Sequence, residues 1–213
     1  EFLPLHGIEE KHRSDTRLTD YGYRRWSQLF NDRQLLHLGR LAREIKKLPE
    51  DQRRAFGLAF SNHLTTNCML TSYAAGWRRF TPLFSITAFR HVPRPVELNP
   101  WLEGTGRGTF PNAIRQVLRA SAFAKAPKEP ARRGGFREVE AVAPTTAPRV
   151  FSGNARELTD VESNSVDMVL TDPPYFDNIT YSELSDFFQP WLEHMGLVPE
   201  AAIRRVLVKR ALS

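Results

Sequence analysis

"SVDMVLTDPPYFDN" occupies residues 165–178, and two different signals meet in it. Its first half, Val166 to Leu170, is a short apolar run between polar turns, the pattern of a strand buried in a sheet. Its second half, Asp172 to Tyr175, sets an acid, two prolines and an aromatic ring in a row. Asp-Pro alone reads as a turn at a strand exit. The full string, directly after an apolar strand, points to a site, because ligands of open α/β sheets lie outside the carboxyl ends of the strands.

The residue types suit one chemistry. An exocyclic amine on a nucleobase is a poor nucleophile, because its lone pair is delocalised into the ring. Two acceptors on its N–H bonds localise that pair. Ionised Asp172 is an acceptor-only carboxylate, and the carbonyl of Pro173 is a second acceptor. Pro173 and Pro174 bring no competing N–H and stiffen the loop. Tyr175 offers a ring on which an extruded base can stack, worth ~1–3 kcal/mol. Extrusion is needed because the target atom is unreachable inside a duplex.

Outward from this stretch, "RVFSG" at 149–153 predicts another strand. "TYSELSDFFQPWLEHMG" at 180–196 predicts a helix with Leu184, Phe187, Phe188, Trp191, Leu192 and Met195 inward and a capping box between Thr180 and Glu183. Pro190 should kink that helix or end it early. Strand, loop, strand, loop and helix indicate part of an α/β sandwich.

Upstream, "NDRQLLHLGRLAREIKKLP" at 31–49 repeats Leu35, Leu38, Leu41, Ala42, Ile45 and Leu48 at helical spacing, with Asn31 and Gln34 as a capping box. A second helix is expected over 50–64, burying Phe56, Ala59 and Phe60 and forming a hairpin with the first. "PLFSITAF" at 82–89 is β-prone, and "RHVPRPVELNP" at 90–100 must be extended or turning. "GTGRGTF" at 104–110 reads as an ordinary loop. The helix predicted over 111–124 has Ile114, Val117, Leu118 and Ala122 inward. The first 20 residues read as a loop or loose end. Residues 125–148, rich in Pro, Ala, Arg and Gly, read as a linker. The organisation expected is a mainly helical region over 1–124 with its hairpin at 31–64, the linker, and an α/β portion over 149–213.

With 41% hydrophobic and 25% charged residues, the 213-residue chain has the composition of a globular protein. No apolar stretch approaches the ~20 residues of a membrane span, and no signal peptide is visible. The single cysteine, Cys68, excludes an internal disulfide and fits a reducing cytoplasm. It reads as a small buried residue. The six histidines show no metal-ligand spacing. A net charge of +6 favours polyanionic partners. Seven basic residues against one acid lie between Arg115 and Arg137, a candidate phosphate-tracking strip that includes Arg132 and Arg133.

"DPPY" resembles the catalytic motif of S-adenosylmethionine-dependent DNA methyltransferases that act on amino groups. The run "VDMVLTDPPYFDNITYSELSDFFQPWL", with "GNAREL" ahead of it, resembles bacterial and archaeal DUF1156-type adenine-specific DNA methylases. "YGYRRWSQLFNDRQLL" and "VELNPW" resemble the middle of those proteins. The resemblance implies a Rossmann-like methyltransferase sheet, DNA as partner, a cytoplasmic, nucleoid-associated enzyme, and N6-adenine as the methylated amine. It makes Asp172, Pro173, Pro174 and Tyr175 the target-base residues. Asn154, flanked by Gly153 and Ala155, would contact the cofactor's adenine. Asp177 and Asn178 would order the loop or touch the substrate.

The chain departs from that family in two respects. It has no F-x-G-x-G cofactor loop after an apolar strand, since "GTGRGTF" follows "NPWLE". One cysteine cannot build the metal ribbon common among the relatives. The chain therefore reads as the C-terminal part of a methylase, inactive in isolation, whose cofactor loop comes from an upstream segment or subunit, or as a truncated methylase lacking half of the cofactor pocket. N4-cytosine or RNA base methylation, and a catalytically inactive nucleic-acid-binding or assembly module, are the alternatives.

Overall fold

The computed structural model describes residues 2–8, 13–85, 88–104, 107–141, 149, 156–172 and 179–198. A short helix α1 (Arg17–Asp20) and a 3₁₀ turn (Trp26–Leu29) precede two fifteen-residue helices, α2 (Asp32–Lys46) and α3 (Glu50–Leu64). Strands β1 (Ser72–Ala74) and β2 (Arg79–Thr81) form an antiparallel hairpin. Helix α4 (Phe110–Lys125) leads into a second antiparallel hairpin, β3 (Lys128–Pro130) with β4 (Phe136–Glu138). Helices α5 (Tyr181–Ser185) and α6 (Gln189–His194) follow. The architecture is mixed α and β, and both sheets among the described residues are two-stranded and antiparallel.

The helical hairpin forms as its sequence dictates. The Asn31 side chain accepts from the Gln34 amide at 2.9 Å, and the Gln34 side chain accepts from the Asn31 amide at 3.0 Å. This reciprocal cap satisfies two donors that an uncapped helix leaves orphaned, and losing such a cap costs ~1 kcal/mol. Leu38, Ala42 and Ile45 are buried, while Leu35, Leu41 and Leu48 are half-buried. Helix α3 has the expected bounds, with Pro49 at its cap and Glu50 and Asp51 in its first turn, where the helix dipole favours acids.

The core contains a cluster of aromatic rings that joins the N-terminal helices to residues 179–198. The Phe187 ring lies 5.8 Å from Phe30 and 5.8 Å from Phe84. Trp191 is fully buried, 5.6 Å from Phe30 and 5.5 Å from Phe60. Residues 179–198, which follow the Asp-Pro-Pro-Tyr string, thus pack on the N-terminal helices. The first residues are built in as well: Phe2 stacks on His194 with ring centroids 3.9 Å apart. A β-carbon on Gly39 would come within 2.6 Å of the Phe2 carbonyl oxygen, so a glycine in α2 permits this crossing.

Several expectations are corrected. The opening residues are not a loose end: Ile8 and Leu18 are buried, and Gly7 forms a β-bridge with Arg25. In "PLFSITAF", Leu83–Ser85 is a 3₁₀ turn, fixed by burial of Leu83 and a hydrogen bond from the Leu83 amide to the Thr65 carbonyl. Leu118 is 63% exposed and Ala122 is exposed, because α4 buries only its first turns, around Phe110 and Ala113. Pro190 acts as expected: the helix breaks, and the proline sits in the first turn of α6, where no amide is required. The capping box of Thr180 and Glu183 is absent, since Thr180 caps nothing with its side chain. Glu183 instead accepts from the backbone amides of Ser14 at 2.6 Å and Asp15 at 3.0 Å. The stretch read as a linker contains the β3–β4 hairpin.

The largest correction concerns the apolar run. Val166 to Leu170 forms no strand, and Met168, Val169 and Leu170 are 82%, 78% and 94% exposed. A strand exists only through ladder bonds to a neighbour, and no described segment pairs with this one. Of "RVFSG", residues 150–153 lie outside the described residues.

Candidate functional site

Of the residues assigned to the target base, Asp172 is described. It is exposed, in irregular backbone directly after the uncovered apolar run. Pro173, Pro174, Tyr175, Asp177 and Asn178 lie outside the described residues, as do Gly153, Asn154 and Ala155. Arg132 and Arg133 are exposed in the β3–β4 turn. The basic strip around them is partly neutralised by its own hairpin, because Arg137 pairs with Glu129, and Lys128 lies 3.3 Å from Glu138.

The structure assembles a different basic site. A cleft of about 480 Å³ separates the β1–β2 hairpin from α4. Arg78 and Arg79 come from the hairpin, Arg107 from the loop before α4, and Arg115 and Arg119 from α4 itself. Asn112, Arg115, Gln116 and Arg119 are three, four and seven residues apart, one face of a helix. Arg115 donates to the Asn112 side chain. Among the described residues no carboxylate lines the cleft. Its wall also carries Tyr73 and Phe80, paired across the hairpin register with rings 5.8 Å apart.

The sequence held the pieces of this site, "WRRF" at 77–80 and "RQVLR" at 115–119, some 35 residues apart. The linear reading grouped Arg115 and Arg119 with the strip running to Arg137. Only the tertiary fold brings them to the hairpin.

The glycine-rich loop read as ordinary is what fixes one edge of the cleft. Gly108 has φ +83°, and a β-carbon there would fall 1.9 Å from the Thr66 hydroxyl. Its carbonyl accepts from His63 Nδ1 at 2.6 Å and from Thr66 Oγ1 at 3.0 Å. Because a carbonyl only accepts, His63 carries its proton on Nδ1. Its Nε2 then accepts from His37 Nε2 at 2.9 Å, which sets both tautomers. Burial drives the His63 pKa down to about 4; the Gly108 bond opposes this in part, and the neighbouring His37 adds to it. His37 is lowered by burial too. This pair is a neutral strut beneath the cleft.

Other charged groups serve structure. The Arg13 side chain is buried, with its guanidinium 5.6 Å over the Trp26 ring and 5.8 Å over Phe89, donating to Asp186 at 3.1 Å. Asp15 is held below the usual carboxylate range: burial pushes it up, but hydrogen bonds from Arg17 and the Arg17 charge outweigh that. The Cys68 thiol is fully buried and pushed up to about 11 by that burial, as suits an inert packing residue. Among the described residues no group of His, Cys, Asp or Glu could hold a metal ion, and no helix is long and apolar enough to cross a membrane. No protein-family model, curated protein or solved structure matches the chain.

Proposed function

We propose that the chain is the C-terminal part of an S-adenosylmethionine-dependent DNA methyltransferase acting on the N6 amine of adenine. The observation that carries this reading is the string from Val166 to Tyr175: an apolar strand-like run that delivers an exposed acid, two prolines and a ring. In the reading, Val166 to Leu170 joins a Rossmann-like sheet together with the strand expected at 149–153 and with strands of a further segment. Four exposed apolar side chains support it, since burying each contributes ~1.5–3 kcal/mol.

Bound S-adenosylmethionine supplies an electrophilic methyl carbon. Asn154 can hydrogen-bond the cofactor's adenine, but the chain carries no glycine-rich loop after an apolar strand, so the rest of the cofactor pocket is left to the further segment. Asp172 accepts one N–H of the target amine and the Pro173 carbonyl the other, which concentrates electron density on nitrogen. Tyr175 holds the extruded base by its face. The contribution of these residues is positioning and electrostatics, without a covalent enzyme intermediate.

The test is incorporation of labelled methyl groups into DNA by a longer form that includes the cofactor loop. Asp172→Ala is expected to lower transfer roughly 100- to 1,000-fold with DNA affinity unchanged. Full activity in that variant removes the site assignment. The arginine cleft favours one second reading, an inactive nucleic-acid-binding module. Calorimetry separates the two: the second reading gains if the longer form binds DNA yet gives no heat with S-adenosylmethionine.

A further inference from the structure

We propose that the cleft between the β1–β2 hairpin and α4 is a binding site for single-stranded nucleic acid, distinct from the Asp-Pro-Pro-Tyr string. Phosphates lie against the arginines, and a base stacks on Tyr73. The inference holds under either reading above, because it concerns binding alone.

Charge is the first argument. Among the described residues, five arginines and no carboxylate line one cleft, in a chain whose net charge is +6. Several arginines elsewhere are matched with acids: Arg17 with Asp15, Arg33 with Glu97, Arg43 with Glu44, Arg54 with Glu50. Among the described residues Arg78, Arg79, Arg107, Arg115 and Arg119 form no ion pair. Like charges brought together without counter-charge repel one another, and a bound polyanion relieves that cost.

Aromatic exposure is the second. Tyr73 is 50% exposed and Trp77, at the hairpin tip, 74%. The Arg79 guanidinium lies 5.2 Å over the Trp77 ring. Arginines interleaved with open aromatic faces are the combination that holds unstacked bases and their backbone. Anionic lipid or an acidic peptide would use the charge and leave the faces without a stacking partner. A duplex keeps its bases stacked internally and cannot use them either.

Backbone conformation is the third. Arg78 adopts φ +48°, ψ +43°, the left-handed region, where a non-glycine residue costs about 1–2 kcal/mol. Glycine or asparagine would turn the hairpin more cheaply. The arginine there faces the cleft, and strain of this kind gathers at binding sites.

Fluorescence anisotropy of a labelled oligothymidine about a dozen nucleotides long, with the full chain, tests the proposal. Arg115→Glu with Arg119→Glu should weaken binding at least about tenfold at low salt and flatten the salt dependence by about 1.4, at ~0.7 per lost phosphate contact. Tyr73→Ala should weaken it about 5- to 150-fold. Arg43→Glu with Arg54→Glu changes net charge equally and should retain binding; circular dichroism checks that every variant folds. An equal loss in that control overturns the proposal. So does an equal affinity for an abasic oligomer, or tighter binding to duplex DNA or to phosphatidylglycerol vesicles.

Discussion

Trp191, Phe187 and Met195 are completely buried, while Met168, Val169 and Leu170, twenty residues earlier, stand 78–94% exposed. By side chain alone both groups belong in a core. The difference lies in partners. Phe187 meets the rings of Trp26, Phe30, Phe84 and Phe188, which arrive from helices and turns that form by local rules. A strand needs a second strand to complete its backbone bonds, and among the described residues none pairs with 166–170. Burial is therefore decided by what the rest of the chain brings, and the two regions show the outcome with and without a counterpart.

The sharpest way to break this contrast is at Trp191. Replacing it with alanine leaves a cavity bounded by Phe30 and Phe60, and should cost ~3–5 kcal/mol in urea unfolding. A loss below 1 kcal/mol would mean that residues 179–198 are not part of the core.

The His37–His63 strut offers the next largest effect. His63 has a folded pKa of about 4 against an ordinary ~6.5. Protonation is thus resisted in the folded state and accepted in the unfolded one. Stability from this group is fully present above pH ~6.5 and falls as pH drops toward 4, by roughly 3 kcal/mol in all. A His63→Gln variant, compared with the parent at each pH, should lack that slope. Parallel stability curves between pH 6.5 and 4.5 would show that the imidazole is not buried neutral.

How much of this was legible in the sequence follows the same division. The helices at 32–46 and 50–64 could be read because a capping box and a periodic stripe are contained within each. The proline break at 190 is equally local. The arginine cleft was not legible, because Arg78 and Arg79 reach Arg115 and Arg119 only through the packing of α4 on α3. Glu183 misled for a related reason: its spacing from Thr180 fits a cap, yet two amides of the distant residues Ser14 and Asp15 take its carboxylate. The apolar run at 166–170 has the composition of a strand, but composition does not supply the neighbour. Of the candidate site, the sequence holds the residue types, and the described structure adds the exposure of Asp172.

The smallest expected effect bears most directly on the exposed region. Leu170 is 94% exposed, so Leu170→Ser should change the stability of this chain by no more than ~0.5 kcal/mol. In a longer form whose sheet covers the run, the same substitution removes a buried side chain and should cost ~2–5 kcal/mol. The pair of measurements separates two explanations of the exposure. If both values are small, residues 166–170 are a surface loop, and no sheet incorporates them. If the cost appears only in the longer form, the apolar run is an incomplete strand. The acid at its end then stands where an open sheet places its ligands.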